Sequence, residues 1–243
     1  MNTPKQNRRS FLRITGAAAL ACALPLTATA AESAAKLRIG IIGSGRVGGA
    51  LGATWAQAGH TVMFSSLDIE QDKKLAASVG PNARAGTPRE AAAFGDILLV
   101  AVPYGALPQL GKDLGDLLKG TAVIDTSNPF PNRDGEIANW AREKGAGLAT
   151  AELLPGARIV RAFNAVGFAR MAEAAQRPGP RSGMPMAGDD AAAIAVATRL
   201  VRDAGFEPVL IGPLAMGKHL MPGTPLAGER PPEEIRKIAA TLN

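Results

Sequence analysis

The residues best suited to chemistry lie in a glycine-rich turn, Gly43–Gly48, which reads G-S-G-R-V-G and fits the pattern G-x-G-x-x-G. Backbone N–H groups in such a turn can hold the diphosphate of a dinucleotide. Gly43 would make the tight turn, Gly45 would admit the diphosphate, and Gly48 would let a helix pack on a strand. In a chain with 28 glycines, the pattern alone also fits a turn that only packs.

The elements around this turn favour the nucleotide interpretation. The short apolar run at residues 37–42 predicts a buried strand before the turn. Behind the turn, Val47, Leu51 and Trp55 follow helical spacing, and Gly59 ends the predicted helix. Strand, turn and helix therefore stand in the order that a dinucleotide site needs.

The end of the second predicted strand, residues 61–64, addresses the choice of cofactor. An NAD site places an acidic residue on the ribose 2′-OH about 20 residues beyond the first glycine. This chain has Ser65 and Ser66 there. Hydroxyls without a carboxylate can accept a 2′-phosphate, with Arg46 as a further partner, which favours NADP over NAD. Two alternatives remain open: Asp68 could point inward and favour NAD, or the serines could form only a strand-end turn.

Further strands alternate with helical segments along the chain. This alternation predicts an α/β fold with a doubly wound parallel sheet, the Rossmann NAD(P)-binding fold, in which ligands bind beyond the carboxyl ends of the strands. The further strands are predicted at residues 82–85, 96–102, 121–125, 157–163, 184–187 and 208–211.

Four predicted strand ends should therefore meet in one crevice. They are the glycine turn, Ser65-Ser66, Val102-Pro103-Tyr104 and Asn128-Pro129. Tyr104 is the only tyrosine, and at this place it either contacts the cofactor or packs within its loop.

The N-terminus predicts export. Residues 7–13, N-R-R-S-F-L-R, form a twin-arginine pattern, and Ala28-Thr29-Ala30 resembles a cleavage site. The intervening Ile14–Leu26 is shorter than the ~20 residues that span a bilayer, so no stable membrane span is expected. We expect a periplasmic protein cleaved near Ala30, with the twin-arginine export machinery as partner. A basic leader or a membrane anchor is the alternative.

Composition excludes several functions. Loss of residues 1–30 lowers the formal net charge from +6 to +2 and removes Cys22, the only cysteine. No basic tract then suggests nucleic acid, and thiol catalysis, disulfides and thiolate metal sites are excluded. The two histidines, His60 and His219, are far apart in sequence and suggest neither a metal cluster nor a catalytic triad.

The predicted organisation has four parts. Residues 1–30 form the leader and residues 31–36 a linker. Residues 37–211 form the NAD(P)-binding domain, and residues 212–243 form a short C-terminal loop and helix.

Several motifs, in order and spacing, resemble the NADPH-dependent deazaflavin-coenzyme reductases. The resemblance extends to the cytosolic half of the six-transmembrane metalloreductases and, more distantly, to the start of pyrroline-5-carboxylate reductase. The motifs are Ile41–Gly49, Ala101–Pro103, Asp125–Pro129, Ala162–Asn164, Ala187–Asp190 and Gly212–Leu214.

This resemblance implies roles for individual residues. It places Ser44–Val47 on the diphosphate, Ser65-Ser66 on the 2′-phosphate and Val102-Pro103 beside the ribose and nicotinamide. Asn128 and the segment Ala162–Asn164 would lie nearby. The family usually has an arginine where this chain has Leu67.

The resulting functional expectation is hydride transfer between the nicotinamide of NADP and a planar acceptor. NAD remains open as the cofactor, and the acceptor could be a deazaflavin, a flavin or a metal chelate. The transfer needs proximity and orientation and no protein acid or base. The alternative is an exported dinucleotide-binding module without turnover, acting as a partner or sensor. Homo-oligomerisation also remains open.

Overall fold

The structure is a computed structural model that describes Met1 and residues 35–242. The leader predicted over residues 1–30 lies outside these residues apart from Met1, so cleavage and export stay predictions. Among the described residues, no helix is both long enough and apolar enough to cross a membrane.

Eight strands form one sheet in the order β3-β2-β1-β4-β5-β6-β7-β8. Strands β1 to β6 are parallel, β7 is antiparallel to β6, and β8 is parallel to β7. The doubly wound α/β prediction is thus confirmed, with a reversal of direction at its last two strands. The strands are β1 Arg38–Ile42, β2 Thr61–Ser65, β3 Ala83–Ala85, β4 Ile97–Val100, β5 Ala122–Asp125, β6 Arg158–Arg161, β7 Gly183–Gly188 and β8 Glu207–Gly212.

Helices cover both faces of the sheet, which is why β4 and β5 are buried along their whole length. Their starts follow local signals: Asp68 caps the helix that begins at Ile69, and Thr87 forms a capping box with Glu90 in the helix that begins at Pro88. The helices are α1 Arg46–Gln57, α2 Ile69–Val79, α3 Pro88–Phe94, α4 Leu107–Leu118, α5 Pro131–Asp134, α6 Glu136–Lys144, α7 Ala146–Leu153, α8 Phe168–Ala174, α9 Ala191–Asp203 and α10 Pro232–Ala239, with 3₁₀ turns at Tyr104–Ala106 and Leu214–His219.

A column of aromatic rings ties α1 to the end of β6. Trp55 is fully buried, and its indole N–H donates to Leu200 O of α9 over 2.8 Å. The ring of Phe163 meets Trp55 edge-on at 6.0 Å and Phe206 at 6.2 Å, the favoured arrangement for aromatic pairs. This column fixes the backbone just beyond β6.

The C-terminal segment packs at the β8 end of the sheet. Leu220, Leu226 and Ile235 are buried there against Ala187 of β7 and Val209 of β8. The segment therefore completes a small core of its own beside the last two strands.

His60 joins the start of β1 to α9. Its Nδ1 accepts from Leu37 N over 3.1 Å, so its proton lies on Nε2, which donates to Asp203 over 2.8 Å. The side chain is 1 % exposed, and burial lowers the pKa of His60 from its ordinary value of 6.5, although the bond to Asp203 opposes the shift. The folded protein therefore favours the neutral ring.

We expect this histidine to make stability depend on pH. As pH falls below about 6.5, the unfolded chain binds a proton that the folded chain resists, so the free energy of unfolding falls. Urea unfolding at pH 7 and pH 5 should show this loss in the wild type and a smaller loss in His60→Gln. His219→Gln removes the other histidine as a control, and an equal reduction there would contradict the assignment.

Candidate functional site

The glycine turn forms an open cradle at the start of α1. Gly43 has a φ of +98°, and the amides of Gly43 and Ser44 donate to Ser65 O over 2.9 and 3.0 Å. A Cβ on Gly48 would collide with Gly43 O, whereas a Cβ on Gly45 would meet nothing within 4 Å. No side chain caps α1. Backbone hydrogen bonds therefore fix the turn to the end of β2, and the space above Gly45 is open to a diphosphate.

A crevice continues from this cradle across the carboxyl ends of β4 and β5. The structure brings together there most of the residues predicted for this side of the site. They are Arg46, Val47, Val102, Pro103 and Asn128, together with the unpredicted Ser127. Pro129 is buried directly after Asn128.

Phe130 and Arg133 extend the same wall, and the sequence did not single them out. The Phe130 ring is 39 % exposed, and the Arg133 guanidinium lies 5.1 Å from its centroid. They belong to the loop and short helix after β5. No periodic pattern marks these positions, so only the folded backbone shows that they reach the crevice.

Arg46 lies on the β4 side of the turn. Its guanidinium stacks over Phe168 at 5.2 Å, and the residue lines the crevice with Val102 and Ser127. Because β4 and β2 flank β1 on opposite sides, these contacts place the Arg46 guanidinium on the side of the turn opposite to β2 and Ser66. The structure therefore does not place Arg46 where a ribose 2′-phosphate was predicted to lie.

Ser127 and Asn164 carry unused hydrogen-bonding capacity. Both residues are at least 97 % buried, and Ser127 Oγ and Asn164 Oδ1 have no hydrogen-bond partner among the described residues. Buried polar groups are normally paired, so unpaired ones at and beside Ser127, which lines the crevice, suggest a missing ligand. A carboxamide, which both donates and accepts, could pair with them.

The backbone before Asn164 is strained. Phe163 has a φ of +66°, the left-handed region that L-residues other than Asn and Asp seldom adopt. Burial of its ring between Trp55 and Phe206 holds this conformation. The preceding Ala162 is fully buried at the end of β6. The strain turns the chain so that Asn164 reaches the β5 end.

A buried ion pair lies beneath these residues. Arg161 Nη1 donates to Asp125 Oδ2 over 2.5 Å, and both side chains are 0 % exposed. Thr150 Oγ1 and Ser127 N also donate to Asp125, and Arg161 Nη2 donates to Asn128 Oδ1 over 3.2 Å. The pair therefore holds Asn128 in the crevice. The sequence does carry a signal for this pair, because a charged residue ends each of the two buried strands, but the signal was not used.

The structure corrects the role predicted for the Tyr104 side chain. Its ring is fully buried beneath the crevice, and its hydroxyl lies 3.3 Å from Ala146 O and 3.2 Å from Thr150 Oγ1 of α7. Burial raises the pKa of Tyr104 to about 12. The 3₁₀ turn that follows β4 directs the ring into the helix layer, so the side chain packs in the core and is not exposed to the crevice.

The structure also corrects the role predicted for the Ser65 hydroxyl. Its side chain is fully buried, and its hydroxyl donates to Ile41 O over 2.6 Å. The hydroxyl thus closes the ends of β1 and β2 and is not offered to a phosphate. The alternative raised for Asp68 is also not what the structure shows, because its carboxylate accepts from the amides of Glu70 and Gln71 as the cap of α2.

Ser66 and Ser44 meet at one carboxylate. Ser44 Oγ and Ser66 Oγ donate to the two carboxylate oxygens of Asp72, the latter over 2.9 Å. Asp72 is 0 % exposed and was not singled out in the sequence. The contact joins the glycine turn to the end of β2. Among the described residues, no group of three or more His, Cys, Asp or Glu could hold a metal ion.

We expect the buried pair to depend on both partners. Arg161→Met would leave the Asp125 carboxylate uncompensated and lower the free energy of unfolding by about 3–5 kcal/mol. The double variant Asp125→Asn/Arg161→Met removes both charges and should recover part of this loss. Urea denaturation measures both effects, and additive losses would show that the two groups are not coupled.

Comparison with known proteins agrees with this geometry. Residues 38–129, from β1 through the end of β5, match the model of the family described as "NADP oxidoreductase coenzyme F420-dependent". None of the curated proteins compared with the chain matches it.

Solved structures share the fold. A hypothetical protein from Sinorhizobium meliloti aligns with a TM-score of 0.67 and 25 % identity, over 81 % of this chain and 95 % of its own. A proposed F420-dependent NADP-reductase from Arthrobacter sp. FB24 gives 0.66 and 19 %, over 75 % and 87 %. The 3-hydroxyisobutyrate dehydrogenase of Mycobacterium tuberculosis gives 0.56 and 20 %, over 76 % and 57 %. The chain thus has the fold of Rossmann-type dehydrogenases and reductases, and its first five strands carry the family match.

Proposed function

We propose that this protein is an NAD(P)H-dependent oxidoreductase that transfers hydride between the nicotinamide and a planar acceptor. One observation carries the proposal: the cradle above Gly45 opens into a crevice lined by Ser127, and Ser127 Oγ and the neighbouring Asn164 Oδ1 have no hydrogen-bond partner among the described residues. A diphosphate at one end and a carboxamide at the other match these two features. The family match over residues 38–129 supports the same conclusion.

The residues of the chain would bind and orient the dinucleotide. The uncapped start of α1 would hold the diphosphate, and Ser127 and Asn164 would hold the carboxamide. Val102 and Pro103 provide an apolar side to the crevice. When bound, the nicotinamide supplies the hydride chemistry itself, so the protein contributes proximity and orientation. The buried hydroxyl of Tyr104 takes no part in a proton transfer.

The acceptor would lie beside Phe130 and Arg133. An exposed aromatic ring offers a surface on which a planar molecule can stack. The Arg133 guanidinium pairs with Asp134 over 2.8 Å and donates to Asn128 O, so its charge is already compensated. Deazaflavins, flavins and metal chelates are all planar, and the acceptor side would thus select for flatness.

A binding module without turnover is the second candidate. The C-terminal segment packs against β7 and β8, and its Gly228 N donates to Ala165 O, directly after Asn164, over 2.8 Å. None of its described residues lines the crevice, so the segment adds no wall there for a second substrate. In this case the protein would hold a nucleotide for a partner or sense it.

The two candidates differ in one measurement. We expect the purified protein to oxidise NADH or NADPH when FMN, a deazaflavin or a ferric chelate is supplied, and the oxidation is followed by absorbance at 340 nm.

Gly45→Val should abolish nucleotide binding and turnover, because its side chain would fill the space of the diphosphate. Gly115→Val is the matched control, since that glycine also has open space but lies in α4. Binding without oxidation of any acceptor would favour the module.

We also propose that the protein is exported through the twin-arginine route and cleaved near Ala30. The support is the sequence pattern around Arg8 and Arg9 and the small residues at positions 28–30. That route carries folded proteins, so a nucleotide could be loaded before export. Homo-oligomerisation stays a further open proposal.

Export has its own test. Arg8→Lys/Arg9→Lys should leave unprocessed precursor in the cytoplasm, detected by fractionation and mass spectrometry. Arg13→Lys is the control, because it makes the same chemical change outside the arginine pair. Normal export of the double variant would contradict the proposed route.

A further inference from the structure

Asp72 is a buried carboxylate with an unusual set of partners. It lies in the first turn of α2 with 0 % of its side chain exposed. The helix dipole favours a negative charge at that place. No cation pairs with it among the described residues, and the neighbouring Lys73 instead pairs with Glu70 over 2.8 Å. The hydroxyls of Ser44 and Ser66 are thus the hydrogen-bond donors that its side chain receives.

The direction of these two bonds determines what the serines can offer a ligand. A hydroxyl has one hydrogen, and an ionised carboxylate only accepts. The hydrogen of Ser44 goes to Asp72, and that of Ser66 goes to Asp72 Oδ2 at 2.9 Å in preference to Asp68 O at 3.3 Å. Both serines therefore present lone pairs to anything that binds beside them. Ser66 Oγ already accepts from Asp68 N over 3.1 Å, which leaves it one lone pair.

The adenosine ribose of a bound dinucleotide would lie beside these serines, because it sits at the end of the second strand in this fold. A ribose 2′-OH can donate to an oxygen that offers lone pairs. A 2′-phosphate offers only acceptor oxygens and brings about two negative charges close to the buried carboxylate of Asp72.

Among the described residues of this end, no buried cation compensates for those charges: Lys73 pairs with Glu70, and Lys74 is exposed to solvent, where its charge is screened. Arg46 stacks on Phe168 on the β4 side of the turn. Leu67, fully exposed, follows Ser66 directly. The buried carboxylate of Asp72 disfavours a 2′-phosphate, and so does the lack of a buried cation beside it.

We propose that Asp72 is a specificity-determining residue that makes this site prefer NADH to NADPH. The inference rests on the proposed function and reverses the preference that Ser65 and Ser66 suggested in the sequence. Asp72 acts through Ser44 and Ser66 and so is a positioning residue. By occupying the hydrogens of both serines, it converts a pair of donors into a pair of acceptors.

The test is a comparison of dissociation constants for NADH and NADPH, measured by nucleotide fluorescence. The wild type should bind NADH at least about tenfold more tightly, a difference expected for one charge-assisted hydrogen bond. In Asp72→Asn the amide donates as well as accepts, so one serine hydrogen becomes free and the negative charge is lost. The ratio of the two constants should shift about tenfold towards NADPH.

Asp68→Asn is the matched control, because it removes a charge from the start of α2, keeps an oxygen for the helix cap and releases no paired cation. Its ratio should stay within about twofold of the wild type, a change smaller than one weak hydrogen bond would cause. Ser66→Ala gives a second measurement if Asp72→Asn does not fold: it should weaken NADH binding and leave NADPH binding unchanged.

Three results would overturn the inference while leaving the proposed function intact. They are tighter binding of NADPH by the wild type, an unchanged ratio in both Asp72→Asn and Ser66→Ala, and an equal shift in Asp68→Asn. Failure of the wild type to bind either nucleotide would overturn the proposed function and the inference together.

Discussion

The site depends on the buried pair of Asp125 and Arg161. Each charge is removed from water, so each needs its partner and the further donors and acceptors around it. The pair lies at the ends of β5 and β6, where the backbone hydrogen bonds between these strands stop. It orders Ser127 and Asn128 from below, and this support lets the crevice expose polar groups without collapsing.

A second constraint acts from the side. The rings of Trp55, Phe163 and Phe206 form one packed column, and the left-handed backbone of Phe163 persists because that packing fixes it. The same residue directs Asn164 towards the β5 end. Apolar packing and the ion pair thus position the same group of polar atoms, one through the backbone and the other through hydrogen bonds.

The two ends of the site are built on different chemistry. At the Ser127 and Asn164 end, buried polar atoms are unpaired and available to a ligand. At the Ser44 and Ser66 end, the hydroxyls are paired with Asp72, and the ligand meets atoms whose donors are already used. Affinity would thus come from the first end and from the diphosphate cradle, and discrimination from the second.

The sequence by itself determined the strands, the glycine turn and the strand ends that meet, because apolar runs, helical spacing of apolar residues and glycine spacing are local properties. It also indicated Val102, Pro103 and Asn128, since parallel strands share one carboxyl edge. Only the tertiary structure decided where side chains point. Serines adjacent in sequence alternate faces at a strand end, so Ser65 turns into the sheet and Ser66 towards Asp72.

The sequence also could not show which residues distant from one another in the chain would pair. Asp125 meets Arg161 across 36 positions, and Ser44 meets Asp72 across 28, which no local pattern encodes. The reversal of β7 follows from the path of the chain after β6 and not from the composition of the strand itself. Local order is written in residue types and spacing, whereas hydrogen-bond direction and charge pairing arise when separate elements pack together.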